Sequence, residues 1–187
     1  MSIDTVRRIV GPTIKLASGA YFDLEDPDAS DIRIEDIAHA LSHICRYTGH
    51  CREFYSVAQH SVLVSSIVPP ADQLAGLLHD AAEAFVGDVS KPLKILLPDY
   101  KAIEARVEAS VFRRFGLPQT LPESVKAADR IALRTEQRDL MDAEGEDWTY
   151  TEGVAPLLAR IHPQSSKLAR DSFLSRFKFL TQRDRNG

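Results

Sequence analysis

The chain has 187 residues, 44% hydrophobic and 27% charged, which is enough for one domain with a substantial core and ordinary for a soluble globular protein. Its formal net charge of -4 argues against a large nucleic-acid-binding surface, while leaving room for a small basic pocket that takes one phosphate. No apolar run approaches the roughly 20 residues of a membrane span, no long apolar segment follows Arg7 and Arg8 as a signal peptide requires, and the two cysteines, Cys45 and Cys51, fit a reducing cytoplasm.

In chain order, the first expected element is a short hairpin. Thr13 to Ala17 and Ala20 to Leu24 flank the turn residues Ser18 and Gly19. The turn-rich link Asp26-Pro27-Asp28-Ala29-Ser30-Asp31 follows and ends in a helix-capping signal. From there the pattern is helix after helix. Ile34, Ile37, Leu41 and Ile44 form one apolar stripe. Val57, Val64 and Ile67 form a second, stopped by Pro69-Pro70, and Leu74, Leu77, Leu78 and Ala81 form a third. Gly87, Pro92 and Pro98 interrupt the path to a fourth, which carries Ile103, Val107, Val111 and Phe115. Val125, Ala132, Leu133 and Leu140 make a fifth, and Leu168 to Leu180 a last one. The expectation is an all-α bundle of about six to seven helices with at most a small N-terminal β-hairpin. It forms a single domain over residues 1–187, in which 1–32 and a C-terminal helix at 163–182 pack on a core at 33–145.

The chemistry-bearing residues lie on these helices. His60 sits three residues after Val57 and four before Val64, on the inward stripe. His79 and Asp80 follow the apolar pair Leu77-Leu78, and Asp129 lies four residues from both Val125 and Leu133. Charges that face inward need partners, because an unpaired buried carboxylate is costly. Two imidazoles and two carboxylates form a mixed nitrogen and oxygen set suited to one divalent metal ion, with open positions for water and substrate. Mn, Co, Fe, Ni, Zn and Mg all remain candidates, Mg alone being the least natural with imidazole ligands. Glu83 shares a helical face with His79 and Asp80. It either handles the proton of a metal-bound water or holds one of the ligands in place.

The order His60, His79-Asp80, Asp129 resembles the H…HD…D signature of the HD-domain metal-dependent phosphohydrolase superfamily. Within it the chain is similar to the bacterial 5'-nucleotidases of the HD type. The resemblance spans roughly residues 33–145 and is carried by QHS, LLHDAAE, GDVSKPLK and AADR, since HD as a dipeptide carries nothing alone. It implies that a metal-bound water releases phosphate from nucleoside 5'-monophosphates or another small phosphomonoester. It also implies that Arg46-Tyr47 matches the arginine-aromatic pair that contacts substrate, with Tyr where Trp is usual. Asp88 matches an aspartate that holds the nucleotide and takes part in proton transfer. Lys91 and Lys94 stand where they could offset phosphate charge, and Arg52 competes with Arg46 as a phosphate contact. Homodimers are common in such proteins.

Other functions compete with this one. No histidine lies between Asp80 and Asp129, so the further ligands of a dinuclear HD site are absent. Glu83 is followed by Ala84 rather than by the second acid of an HDxxED motif, which weakens a (p)ppGpp hydrolase, and the chain is short for a dNTP triphosphohydrolase. A non-catalytic nucleotide-sensing module would use the same pocket. Cys45, His50 and Cys51 lack zinc-ligand spacing. His39 and His43 are four apart on a helix without an acid partner, and His162 precedes Pro163 in a turn.

Overall fold

The computed structural model describes residues 11–141, 146 and 148–183; the N-terminal stretch bearing Arg7 and Arg8 lies outside them. The hairpin is present but shorter than expected: β1 (Thr13–Lys15) pairs antiparallel with β2 (Tyr21–Asp23), with Ile14 opposite Phe22. Gly19 makes the turn at φ 87°, a left-handed conformation that costs glycine little. Phe22 stacks on Phe85 with ring centroids 3.9 Å apart, and the Ser18 amide donates to Asp36 Oδ1 at 2.8 Å. These two contacts tie the hairpin to the helices.

The rest is helical: α1 (Ile34–His43), α2 (Val57–Ile67), α3 (Gln73–Leu78), α4 (Glu83–Val86), α5 (Lys91–Leu96), α6 (Pro98–Phe115), α7 (Glu123–Leu140) and α8 (Ser166–Arg183). The core is built from the predicted stripes. Ile37 and Leu41 of α1, Val57 and Ala58 of α2, Leu77 and Leu78 of α3, and Val107 and Val111 of α6 meet Ala169 and Phe173 of α8. A second cluster, Val64, Ala75, Val125, Ala128 and Ala132, cements α2 and α3 to α7. Among the described residues no helix is long and apolar enough to cross a membrane.

Three local expectations differ from the structure. The helix-capping signal before α1 is not used: Arg33 occupies the cap position without a side-chain bond, Ser30 Oγ accepts from the Asp23 amide, and Asp31 pairs with Arg33. The expected third helix is broken at His79-Asp80. There the amides of Ala81, Glu83 and Ala84 donate three residues back, a 3₁₀ pattern between α3 and α4. The segment after Gly87 forms the extra short helix α5, with Ser90 at its cap position and Pro92 in its first turn.

Gly76 decides how closely α2 and α3 approach. A Cβ there would lie 3.1 Å from Val68 Cγ2 and 3.2 Å from Ser65 Cα. The absence of a side chain lets α3 sit against α2, which brings His79 to His60.

Candidate metal centre

Ser56 Oγ accepts from the Gln59 amide and caps α2. One turn on, His60 lies buried with no exposed surface. Its Nδ1 stands 2.6 Å from Oε1 of Glu136. An ionised carboxylate only accepts, so Nδ1 carries the proton and Nε2 is left free to ligate a metal. His79 repeats this arrangement with different chemistry. Its Nδ1 lies 2.9 Å from the carbonyl oxygen of Gly76, which also can only accept. Both Nε2 atoms therefore point at the same place, 3.3 Å apart.

Two lone pairs that converge in this way need a cation or a proton between them. Asp129 Oδ1 lies 3.2 Å from His60 Nε2, and Asp80 Oδ2 lies 3.2 Å from His79 Nε2 and 3.5 Å from His60 Nε2. An ion about 2.1 Å from two ligand atoms that subtend roughly 90–109° at it holds them about 3.0–3.4 Å apart. The separations of 3.2 and 3.3 Å match, and the 3.5 Å between His60 and Asp80 is slightly longer. His60, His79 and Asp129 form a group that could hold a metal ion, and their nitrogen and oxygen donors suit a divalent one. Asp129 is less inward than its helical position implied: its side chain is 43% exposed, at the rim of a cavity.

Charge balance follows from these contacts. Burial would raise the carboxyl of Asp80, yet His79, His60 and Arg46 hold it well below the ordinary range. Burial opposes ionisation of Asp129 as well, and His60 and His79 keep it low. Burial and Arg46 pull the His60 imidazolium down, but Glu136 and Asp129 outweigh them and push it up to about 10. A metal ion competes with that proton for the same Nε2.

The cavity has a volume of about 1020 Å³ and is lined by Arg46, Tyr47, Asp80, Glu83, Asp88, Lys91, Lys94 and Asp129, among others. Arg46 sits with Nη1 3.6 Å from Asp80 Oδ2 and Nε 3.2 Å from Glu136 Oε2. Tyr47 donates its hydroxyl to Glu136 Oε2 at 2.6 Å. Glu83 is buried, Lys94 Nζ is 3.7 Å from its Oε1, and its Oε2 has no hydrogen-bond partner among the described residues. Burial, then Asp80 and Asp88, hold its carboxyl well above the ordinary range. Asp88 is half-buried; burial and Asp80 raise its carboxyl against the pull of Arg46. Lys91 is exposed at the mouth, its Nζ 3.7 Å from the centre of the Tyr150 ring. Lys94 lies deeper, 2.6 Å from Glu104 Oε1.

Of the remaining candidates, His50 lines the cavity and the others stay apart from it. Arg52 is exposed and does not line the cavity. Cys45 and Cys51 are free, and burial with Cys45 beside it pushes the Cys51 thiol up to about 12, far from a ready metal thiolate. His43 Nδ1 donates to the carbonyl oxygen of His39 at 2.8 Å, and His162 offers its backbone oxygen to Gln59.

Three residues went unread in the sequence. Glu136 lies seven residues, two helical turns, after Asp129, and so on the same face of α7; that spacing was the available signal. Trp148 and Tyr150 also line the cavity, with the Tyr47 and Trp148 rings 5.9 Å apart. They come from an irregular segment, for which periodicity offers no signal.

No family model matches the chain. It is 43% identical over 170 residues to an uncharacterized protein of Escherichia coli, YfdR, an alignment that covers 90% of this chain and 96% of that one. It is 39% identical over 140 residues to an uncharacterized protein of Rhodobacter capsulatus, RCAP_rcc00048, covering 67% and 71% of the two chains. At this identity over nearly the whole of both sequences, the chain belongs to the same family as YfdR.

Proposed function

We propose that this protein is a metal-dependent phosphohydrolase of the HD type, acting on nucleoside 5'-monophosphates or closely similar phosphomonoesters. One observation carries the reading most: two histidines with committed Nδ1 protons turn their Nε2 atoms to one point beside two carboxylates, at the wall of a cavity that also holds arginine and lysine. His60, His79, Asp80 and Asp129 would hold one divalent ion per chain. When bound, such an ion polarises phosphate and makes water nucleophilic at neutral pH.

The chain's own residues supply the rest. The Arg46 guanidinium presents planar donors that match phosphate oxygens, and Lys91 and Lys94 add positive charge on the same wall. Glu83 has a buried oxygen unpartnered among the described residues and a carboxyl that burial holds above its ordinary range. That combination suits it to accept a proton from the attacking water and return it to the leaving alkoxide. The bond from phosphorus to the ester oxygen breaks as the bond to water oxygen forms, leaving inorganic phosphate and an alcohol. Asp88, half-buried on the same wall, is placed to hold the substrate and to share this proton. Tyr47 carries its ring to the cavity while Glu136 holds its hydroxyl. The rings of Tyr47, Trp148 and Tyr150 offer a planar base a stacking surface.

Phosphate release from a panel of nucleoside monophosphates tests the proposal, with stripped protein supplied with Mn, Co, Fe, Ni, Zn or Mg in turn. Turnover with at least one transition metal, lost on chelation, is expected. Tight nucleotide binding without phosphate release under any metal would make the protein a sensor instead.

A further inference from the structure

We infer that Glu136 is a positioning residue that couples metal binding at His60 to the posture of the Arg46-Tyr47 arm. The inference rests on the metal-binding reading of the site but not on phosphate chemistry. Glu136 is buried with no exposed surface, about one turn before the end of α7. Its two oxygens serve different tasks. Oε1 takes the Nδ1 proton of His60 at 2.6 Å, which sets the ring orientation and makes Nε2 a better donor. Oε2 accepts from the Tyr47 hydroxyl at 2.6 Å and from Arg46 Nε at 3.2 Å.

The second task is demanding. Tyr47 and Thr48 both lie at φ 55°, a left-handed backbone that residues with side chains rarely adopt. Strain of this kind persists only where surrounding contacts over-determine it. The Tyr47 hydroxyl bond and the Arg46 ion pair, both to Glu136, supply such contacts. Arg46 also lies 3.6 Å from Asp80, so its charge faces the metal site directly. Glu136 thus neutralises a cation that would otherwise repel the metal, orients one ligand, and pins the strained turn that presents Arg46 and Tyr47 to the cavity. One carboxylate performs all three, so a change on one oxygen is felt at the other.

A double-mutant cycle on metal-stripped full-length protein tests the coupling, with cobalt(II) binding followed by its visible absorption and no substrate present. Glu136→Gln is expected to weaken cobalt binding about 10–100-fold. Adding Arg46→Gln removes the uncompensated guanidinium and is expected to restore about tenfold of that loss, because contacting residues in one network are non-additive. Losses that simply multiply, or a Glu136→Gln protein that binds cobalt within threefold of the native chain, would overturn the inference. If Glu136→Gln alone fails to fold while the double variant folds, the same coupling is read in stability. If both fail to fold, Glu136 serves the fold and the inference falls. A native chain that binds no cobalt overturns the metal reading itself, whereas a chain that binds cobalt but hydrolyses nothing leaves this inference standing.

Discussion

Asp139 offers a test of how the cavity wall is held. It ends α7 with its side chain only 3% exposed. Arg138 and Arg160 pair with it at 2.7 Å, and the Ile161 amide donates to it at 2.8 Å. Arg138 also reaches the carbonyl oxygens of Leu157 and Ala159. This latch fastens the segment that follows Trp148, Thr149 and Tyr150 in the chain. Although burial opposes ionisation, the bonds from Arg138, the Ile161 amide and Arg160 depress the carboxyl from 3.8 to about 2. At about 1.4 kcal/mol per tenfold change in proton affinity, that depression corresponds to roughly 2 kcal/mol of stability. The Arg160 side chain is 65% exposed, so solvent screening trims the effect to about 1–2 kcal/mol. The folded carboxyl is depressed, so the contribution is full above pH 3.8 and is lost as pH falls toward 2. Asp139→Asn should therefore lower the melting temperature at pH 7 by roughly 2–8 °C, for a chain of this size. The free-energy difference from the native protein, measured by urea unfolding followed by circular dichroism, should shrink to about half at pH 3. A deficit of the same size at pH 7 and pH 3 would refute the electrostatic origin of the latch.

The other expectations concern the site. Asp80→Ala removes a carboxylate that touches both histidines, so metal content and turnover should collapse while helical circular dichroism survives; full metal content in the variant contradicts its role as a ligand. Glu83→Gln should keep near-native metal content and lose roughly 100-fold or more in turnover. Loss of metal with turnover per bound ion preserved would instead make Glu83 a support for the ligands. Trp148→Ala should raise KM for purine nucleotides by about fivefold to a hundredfold, from a stacking contribution of about 1–3 kcal/mol per base. It should leave KM for ribose 5-phosphate unchanged, and an equal rise for both substrates would remove Trp148 from base contact.

Much of the helical framework was legible because apolar side chains recur at helical spacing. Ile37-Leu41, Leu77-Leu78 and Val107-Val111 are core pairs in the structure as the periodicity implied. The histidines, Asp80 and Asp129 were legible chiefly through the resemblance to the H…HD…D signature, while helical spacing alone placed Asp129 further inward than the cavity rim it occupies. Glu136 escaped notice because its partners lie 76 to 90 residues away in sequence, and a lone glutamate on a helix ordinarily faces water. The 3₁₀ break at His79-Asp80 was also illegible. The alanine-rich sequence around it favours a continuous helix, and apolar periodicity carries no signal for a switch to hydrogen bonds three residues back. The cap before α1 failed for a competitive reason. Ser30 accepts from the Asp23 amide of the hairpin and Asp31 pairs with Arg33, so neither side chain caps α1.

A single titration tests the central claim most directly. Metal-stripped protein is given manganese or cobalt in substoichiometric steps, while bound metal and phosphate release from a nucleoside 5'-monophosphate are followed together. Turnover should rise in proportion to bound metal and break at about one ion per chain, because His60, His79, Asp80 and Asp129 would make one set of ligands. Turnover that appears only beyond one equivalent, or a chain that fills with metal and releases no phosphate, would contradict it.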